Sequence, residues 1–202
     1  MSILRKTAFT IIELLVVISI IIILAGLILS TVGYVQKKGA RSRAEAEIAA
    51  MSAALENYKA DNGIYPRDTI GSSTDNLVAL TDPSYTTKLP PDPLPTSYDP
   101  SVTAYSTAGF YVYGQLSGNV NGDRSTVNQA AYFHFKPNML SPAGGTGTVT
   151  AIRDPFGNSY GYSTAKQANP SHGFNPTFDL WSTAGTSDAQ KAQYENAWIK
   201  NW

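Results

Sequence analysis

The chain contains no cysteine, which excludes disulfides, thiolate-ligated metals and a cysteine nucleophile. Histidine occurs only twice, as His134 and His172, and neither stands in an H-x-x-E or H-E-x-x-H context for a metal. An excess of one charge is also missing. Fifteen Lys and Arg balance 15 Asp and Glu for a formal net charge of +0, whereas nucleic-acid binding through a basic face needs a marked cationic excess. Charged residues make up only 15% of the 202 residues, below the usual quarter or so, while Gly and Pro number 16 and 12. That composition predicts a turn-rich body with few long solvated helices. Ser and Asp are plentiful, but neither a nucleophile elbow nor a paired-carboxylate spacing occurs, so the chain reads as a non-enzyme.

What is present is concentrated at the front. Residues 9–29 carry a single charge, Glu13. As a helix this run spans roughly 31 Å, close to the ~30 Å hydrocarbon core of a bilayer. A secretory signal peptide has an apolar region of only about 7–15 residues and a small-x-small cleavage site. This run is longer and no such site follows it, so it reads as a membrane helix. Its orientation is not decided by charge: Arg5 and Lys6 precede the run, but Lys37, Lys38, Arg41 and Arg43 follow it. A carboxylate inside an apolar span costs about 2.5–3.5 kcal/mol on insertion scales. Glu13 therefore has two readings: a side chain near the headgroups with no role, or one that meets a cationic partner within the membrane or an assembly.

The stretch Lys6-Thr7-Ala8-Phe9-Thr10-Ile11-Ile12-Glu13-Leu14-Leu15-Val16-Val17-Ile18 resembles the class III signal of type IV prepilins and type II secretion pseudopilins. The resemblance implies cleavage by a prepilin peptidase between Ala8 and Phe9 on the cytoplasmic side, and methylation of the new amino terminus. It also implies that Glu13, fifth in the mature chain, pairs with the N-terminal amine of a neighbouring subunit. The family usually has Gly before the cut, where this chain has Ala8. The implied topology puts the amino terminus in the cytoplasm and the body outside the inner membrane.

Beyond the apolar run, Ala44, Ile48, Met51, Leu55 and Tyr58 recur at spacings of four, three, four and three, one stripe of an amphipathic helix. Asn62-Gly63 supplies a left-handed stop and Pro66 prevents resumption. The spacing predicts one helix over 9–61, on the order of 80 Å long, whose second half packs on the C-terminal body. Gly26, Gly33 and Gly39 are candidate bends or close-packing points. The segment Tyr58 to Pro66 is similar to the helix end of type II secretion major pseudopilins.

A short helix is expected over 74–80. Residues 83–100 hold six of the twelve prolines and read as a surface loop. Strand-like runs follow at 110–116, 130–135 and 148–152, the first two joined by a turn over 118–123. His134 then falls on a strand as an outward or satisfied residue. Residues 83–147 look like an insertion relative to a minimal family member. Asp154-Pro155-Phe156-Gly157-Asn158 is a turn in which Asp accepts backbone bonds, Pro presets φ and Gly tolerates positive φ, with Tyr160 and Tyr162 starting a strand. That motif, Phe178-Asp179-Leu180-Trp181-Ser182 and the ending Ile199-Lys200-Asn201-Trp202 resemble major-pseudopilin signatures.

In that family the last two segments enclose a calcium ion. By resemblance, the ligands here are Ser182, Glu195, Asn196 and backbone oxygen near Leu180, an oxygen set that suits Ca²⁺ although one family carboxylate is replaced by the amide of Asn196. A solvated acidic loop without metal is the alternative.

The expected fold class is α+β: a long N-terminal helix, transmembrane in its first half, packed on a small antiparallel sheet with long loops. The expected divisions are a leader (1–8), a transmembrane assembly segment (9–33), an amphipathic continuation (34–62) and an extracytoplasmic body (63–202). The implied function is that of a structural subunit of a type II secretion pseudopilus. Its implied partners are copies of itself in a helical filament, minor pseudopilins, the prepilin peptidase and the inner-membrane assembly platform. A type IV pilin for adhesion, motility or DNA uptake is an alternative, although many such pilins close a disulfide loop that this chain lacks. A membrane-anchored extracytoplasmic binding protein is a third.

Overall fold

The apolar run and the stripe behind it form one helix, α1, Ile11–Asn62. The computed structural model describes residues 10–75, 103–185 and 197–202, divided into two compact units, Met1–Gly39 and Ala40–Trp202. In the first unit the apolar side chains of α1 are exposed on all sides, from Ile11 to Leu29. Its most apolar stretch is long enough to cross a membrane, and none of that stretch is buried. Helical backbone continues through Gly26, Gly33 and Gly39, and a Cβ at any of the three would meet nothing within 4 Å. In the single chain none of the three is a close-packing point.

In the second unit α1 buries the expected stripe. Ala44, Ile48, Met51 and Leu55 are buried and Tyr58 is partly so, because the 3.6-residue period brings them to one face. The helix ends as anticipated. Gly63 takes φ +80°, its N–H bonds Lys59 O at 2.7 Å, and Asn62 Nδ2 donates to Tyr58 O at 2.9 Å.

The strand expected over 110–116 is instead part of a helix, α2, Thr103–Ser117. Its β-branched and aromatic residues favour a strand locally, but Tyr105, Ala108, Val112 and Leu116 recur at spacings of three and four and are all buried. Gly109 lets the helix backbone approach Ile152, whose N would lie 3.4 Å from an added Cβ. The turn over 118–123 forms, with Gly118 and Gly122 at positive φ, but it leads into irregular chain. Residues 130–135, expected as a strand, pair with no strand; Tyr132 N and Phe133 N bond Leu116 O, the open end of α2. His134 is accordingly exposed on an irregular segment and not on a sheet. Residues from α2 onward contribute to the core, so this part of the proposed insertion is integral to the body.

The sheets are small. β1 (Leu140–Ser141) pairs antiparallel with β2 (Ala151–Ile152), the remnant of the strand expected over 148–152. β3 (Gly161–Ser163), β4 (Asp179–Ser182) and β5 (Ile199–Lys200) form an antiparallel sheet in that order, with Tyr162 opposite Leu180 and Ser182 opposite Ile199. A one-turn helix, α3 (Ala165–Ala168), follows β3. The stripe of α1, the inner face of α2 and Ile152, Tyr162, Phe178 and Leu180 form one core, while Tyr105, Trp181 and Trp198 form a second cluster. Thr74 and Asp75 lie in a turn, and the rest of the helix expected over 74–80 lies outside the described residues, as does the proline-rich stretch 83–100.

Candidate functional site

Glu13 sits in the first turn of α1. Thr10 Oγ1 accepts from Glu13 N at 3.3 Å, while Glu13 Oε2 accepts from Thr10 N at 3.4 Å and from Thr10 Oγ1 at 3.2 Å. This is a reciprocal capping box, in which an N-cap hydroxyl and an N3 carboxylate satisfy helix N–H groups that have no intrahelical partner. Thr10 was missed by the sequence reading, although Thr10-x-x-Glu13 before an apolar run is its signature. Ala8 and Phe9, expected from the resemblance to flank a cleavage site, lie outside the described residues. The basic residues behind the span are partly neutralised: Arg41 and Arg43 pair with Glu45 and Glu47 at 3.1 and 3.4 Å. Arg41 Nη1 also donates to Ala197 O at 2.7 Å, tying the C-terminal segment to α1.

Of the implied calcium ligands, Leu180 and Ser182 are described and Glu195 and Asn196 are not. Leu180 is clamped from the C-terminal segment: its N–H donates to Asn201 Oδ1 at 2.8 Å and its carbonyl accepts from Asn201 N at 3.2 Å. Ser182 is fully buried; its hydroxyl donates to Asp154 Oδ2 at 2.6 Å and accepts from Ala184 N at 3.1 Å. A carbonyl and a hydroxyl each have two lone pairs, so both oxygens retain acceptor capacity for a hard cation. Among the described residues no group of three or more His, Asp or Glu side chains converges, so any site depends on the segment carrying Glu195 and Asn196.

Asp154 was read as a turn residue only. Its Oδ1 accepts from Phe156 N at 3.0 Å and Asn158 N at 2.8 Å, as that reading requires. Its Oδ2 reaches across to β4, a contact that local pattern does not encode. Burial pushes its carboxyl above the usual range, opposed by the hydrogen bond from Ser182 and by backbone N–H groups. A second polar link joins α1 to the body. Tyr160 Oη donates to Glu47 Oε2 at 2.8 Å, and Glu47 is raised mainly by burial, with Tyr160 and Arg43 acting in the opposite sense. The Tyr160 hydroxyl is raised by burial and by the neighbouring Glu47, so it stays a neutral donor.

Two relatives are similar to this chain. The type II secretion system core protein G of Pectobacterium carotovorum subsp. carotovorum is 34% identical over 107 residues, covering 46% of this chain and 65% of the relative. The core protein G of Aeromonas hydrophila is 34% identical over 99 residues, covering 44% of this chain and 68% of the relative. The chain thus spans about two thirds of the length of each. No family model matches. No solved structure matches.

Proposed function

Because the chain belongs to the family of type II secretion system core protein G, the major pseudopilins, we propose that it is the structural subunit of a pseudopilus, assembled through α1. A prepilin peptidase cuts between Ala8 and Phe9, the new amino terminus is methylated, and Glu13 pairs with the amine of a neighbouring copy. The body lies outside the inner membrane while the amino terminus starts in the cytoplasm. Minor pseudopilins and the inner-membrane platform are the other partners, and the chain carries out no catalysis.

The observation that supports this reading most directly is the first unit of α1. Its apolar side chains are bare around the whole circumference, a surface that water does not tolerate over some 20 residues and that lipid, or a bundle of like helices, covers. Mass spectrometry of the assembled protein tests it. The expected product lacks Met1 to Ala8 and carries a methylated Phe9; a terminus at Met1 or near residue 30 overturns it.

The same reading includes Ca²⁺ held by Ser182, Glu195, Asn196 and backbone oxygen near Leu180. The ion would cross-link the segment before β5 to the end of β4, stabilising the folded form by about 2.7 kcal/mol at a hundredfold excess over Kd. Extracellular modules work at roughly 10⁻⁴–10⁻³ M calcium, so a weak site suffices. Melting of residues 37–202 with millimolar calcium and with chelator tests this reading. Equal melting temperatures, or a Glu195→Ala variant that responds like the parent, overturn it.

A further inference from the structure

The body carries a rigid apolar knob and, on another flank, a cavity with an apolar wall. The knob is Ile70, which is 99% exposed. Its loop is fixed at both ends. Arg67 pairs with Asp75 at 3.0 Å, and Tyr111 Oη donates to Arg67 O at 2.9 Å. At the other end the Thr164 hydroxyl donates to Asp75 Oδ1 and accepts from the Thr74 hydroxyl, each at 2.8 Å. Inside the loop the Asp68 carboxylate accepts from Gly71 N at 2.7 Å and from Ser73 Oγ at 2.7 Å. An isoleucine held out on a loop so fully hydrogen-bonded is an exposed apolar group with little conformational freedom left to lose on contact.

The cavity has a volume of about 550 Å³ and is lined by Tyr113, Phe133, Phe135 and Leu140, with Arg124 on its wall and Val127, 65% exposed, beside it. Its wall offers apolar contact next to one oriented charge. Arg124 sits at φ +67°, a conformation that costs a non-glycine residue about 1–2 kcal/mol and that persists here because the Asp123 carboxylate accepts from Ser125 N and Thr126 N. The guanidinium donates to Gly147 O at 2.8 Å and to Pro142 O, while Nη1 is buried without a partner.

We propose that Ile70 of one copy seats in this cavity of the next, with Asp68 brought up to Arg124. The occupant is a second copy because knob and cavity each carry half of a complementary pair: an apolar tip beside the Asp68 carboxylate, and an aromatic wall beside the oppositely charged Arg124 guanidinium. Their placement also suits a filament. Tyr111 holds the loop and Tyr113 lines the cavity, and residues two apart on α2 point about 200° apart around the helix. A contact between different flanks is heterologous, and repeated without closure it generates an open helical array. The contact is small, but copies already held together through their α1 helices meet at high effective concentration, so a weak contact suffices to set the spacing of the bodies.

This inference rests on the filament reading, and its test separates the two. The chain has no native cysteine, so Thr69→Cys, next to the knob, and Val127→Cys are introduced singly and together into the full chain, both at exposed positions that leave Ile70 in place. Filaments are sheared from cells and oxidised. The expected result is a ladder of cross-linked species in the double variant only, with the disulfide mapped between positions 69 and 127 of different copies. Adding Arg124→Glu lowers the cross-linked fraction at least tenfold. Filaments of normal yield without a ladder, or a dimer formed by Thr69→Cys alone, overturn the knob-in-cavity contact and leave the pseudopilin reading standing. A parent chain that forms no filament at all overturns both.

Discussion

The buried hydroxyl of Ser182 donates a 2.6 Å hydrogen bond to Asp154 Oδ2, joining β4 to the turn that precedes β3. Oδ1 of the same carboxylate closes that turn through Phe156 N and Asn158 N. One side chain therefore sets the loop geometry and locks it to the sheet. Ser182→Ala leaves Oδ2 buried without its donor, which costs about 1–3 kcal/mol. A melting temperature of residues 37–202 lower by several degrees is the expected result, with calcium absent so that any metal effect is removed.

Glu47 gives a pH dependence of definite sign. Burial raises its folded-state carboxyl above the ordinary 4.5, so between that value and the raised one the folded chain holds more protons than the unfolded chain. The contribution is fully present below about pH 4.5 and is lost as pH rises through the folded value. Glu47→Gln keeps an acceptor for Tyr160 and removes the titration. Denaturant melts of both proteins across mildly acidic pH should show a flatter profile for the variant, and at pH 7 a stability at least equal to the parent's. A variant whose profile tracks the parent would assign the slope to other groups.

Much of the architecture was legible in sequence where one period persisted. The α1 stripe, the Asn62-Gly63 stop and the Asp154 turn all rest on local chemistry, and they stand as read. Residues 110–116 failed because Phe110, Tyr111, Val112 and Tyr113 have strand propensity. The helical spacing becomes visible only when Tyr105 and Ala108 are counted in, and burial against Ile152 and Tyr160 decides the matter. Residues 130–135 failed for a related reason. Their backbone donors are taken by the carbonyl of Leu116, a partner set by the end of α2. At the start of α1, Glu13 is evident from charge alone, and Thr10 only from the Thr-x-x-Glu capping motif. The Ser182–Asp154 and Tyr160–Glu47 bonds link residues 28 and 113 apart in sequence, and no local pattern points to them.

Gly161 is fixed by the aromatic ring opposite it. It pairs with Trp181 across β3 and β4, and an added Cβ would lie 2.1 Å from Trp181 Cε2. Trp181 is fully buried, donates from Nε1 to Tyr105 Oη at 3.1 Å and stacks on Trp198, so it has no direction in which to retreat. Gly161→Ala should cost at least the 1–3 kcal/mol or so typical of overpacking. The expected signature is a lower melting temperature together with altered near-UV dichroism from the displaced indole. An unchanged near-UV spectrum would show that the sheet gives way elsewhere.

Glu13 caps α1 in the single chain and has a proposed pairing role in a filament, and substitution separates the two. In the single chain its carboxylate completes the capping box with Thr10, at 3.2 and 3.4 Å from the hydroxyl and N–H donors. In the proposed filament it meets a neighbour's ammonium, and a charge-assisted bond of that kind is roughly twice as strong as a neutral one. Glu13→Gln retains an acceptor for the cap but has no charge; Glu13→Ala loses both. Neither change should hinder insertion, since removing a carboxylate from an apolar span lowers a cost of about 2.5–3.5 kcal/mol. If pairing drives assembly, Glu13→Gln should lose filaments as completely as Glu13→Ala, at equal amounts of processed subunit, because the interaction depends on both charges in a low-dielectric setting. If capping were the whole role, Glu13→Gln would give near-parental yield and only Glu13→Ala would fall. Filament yield from sheared cells, normalised to membrane-inserted subunit, distinguishes the two outcomes.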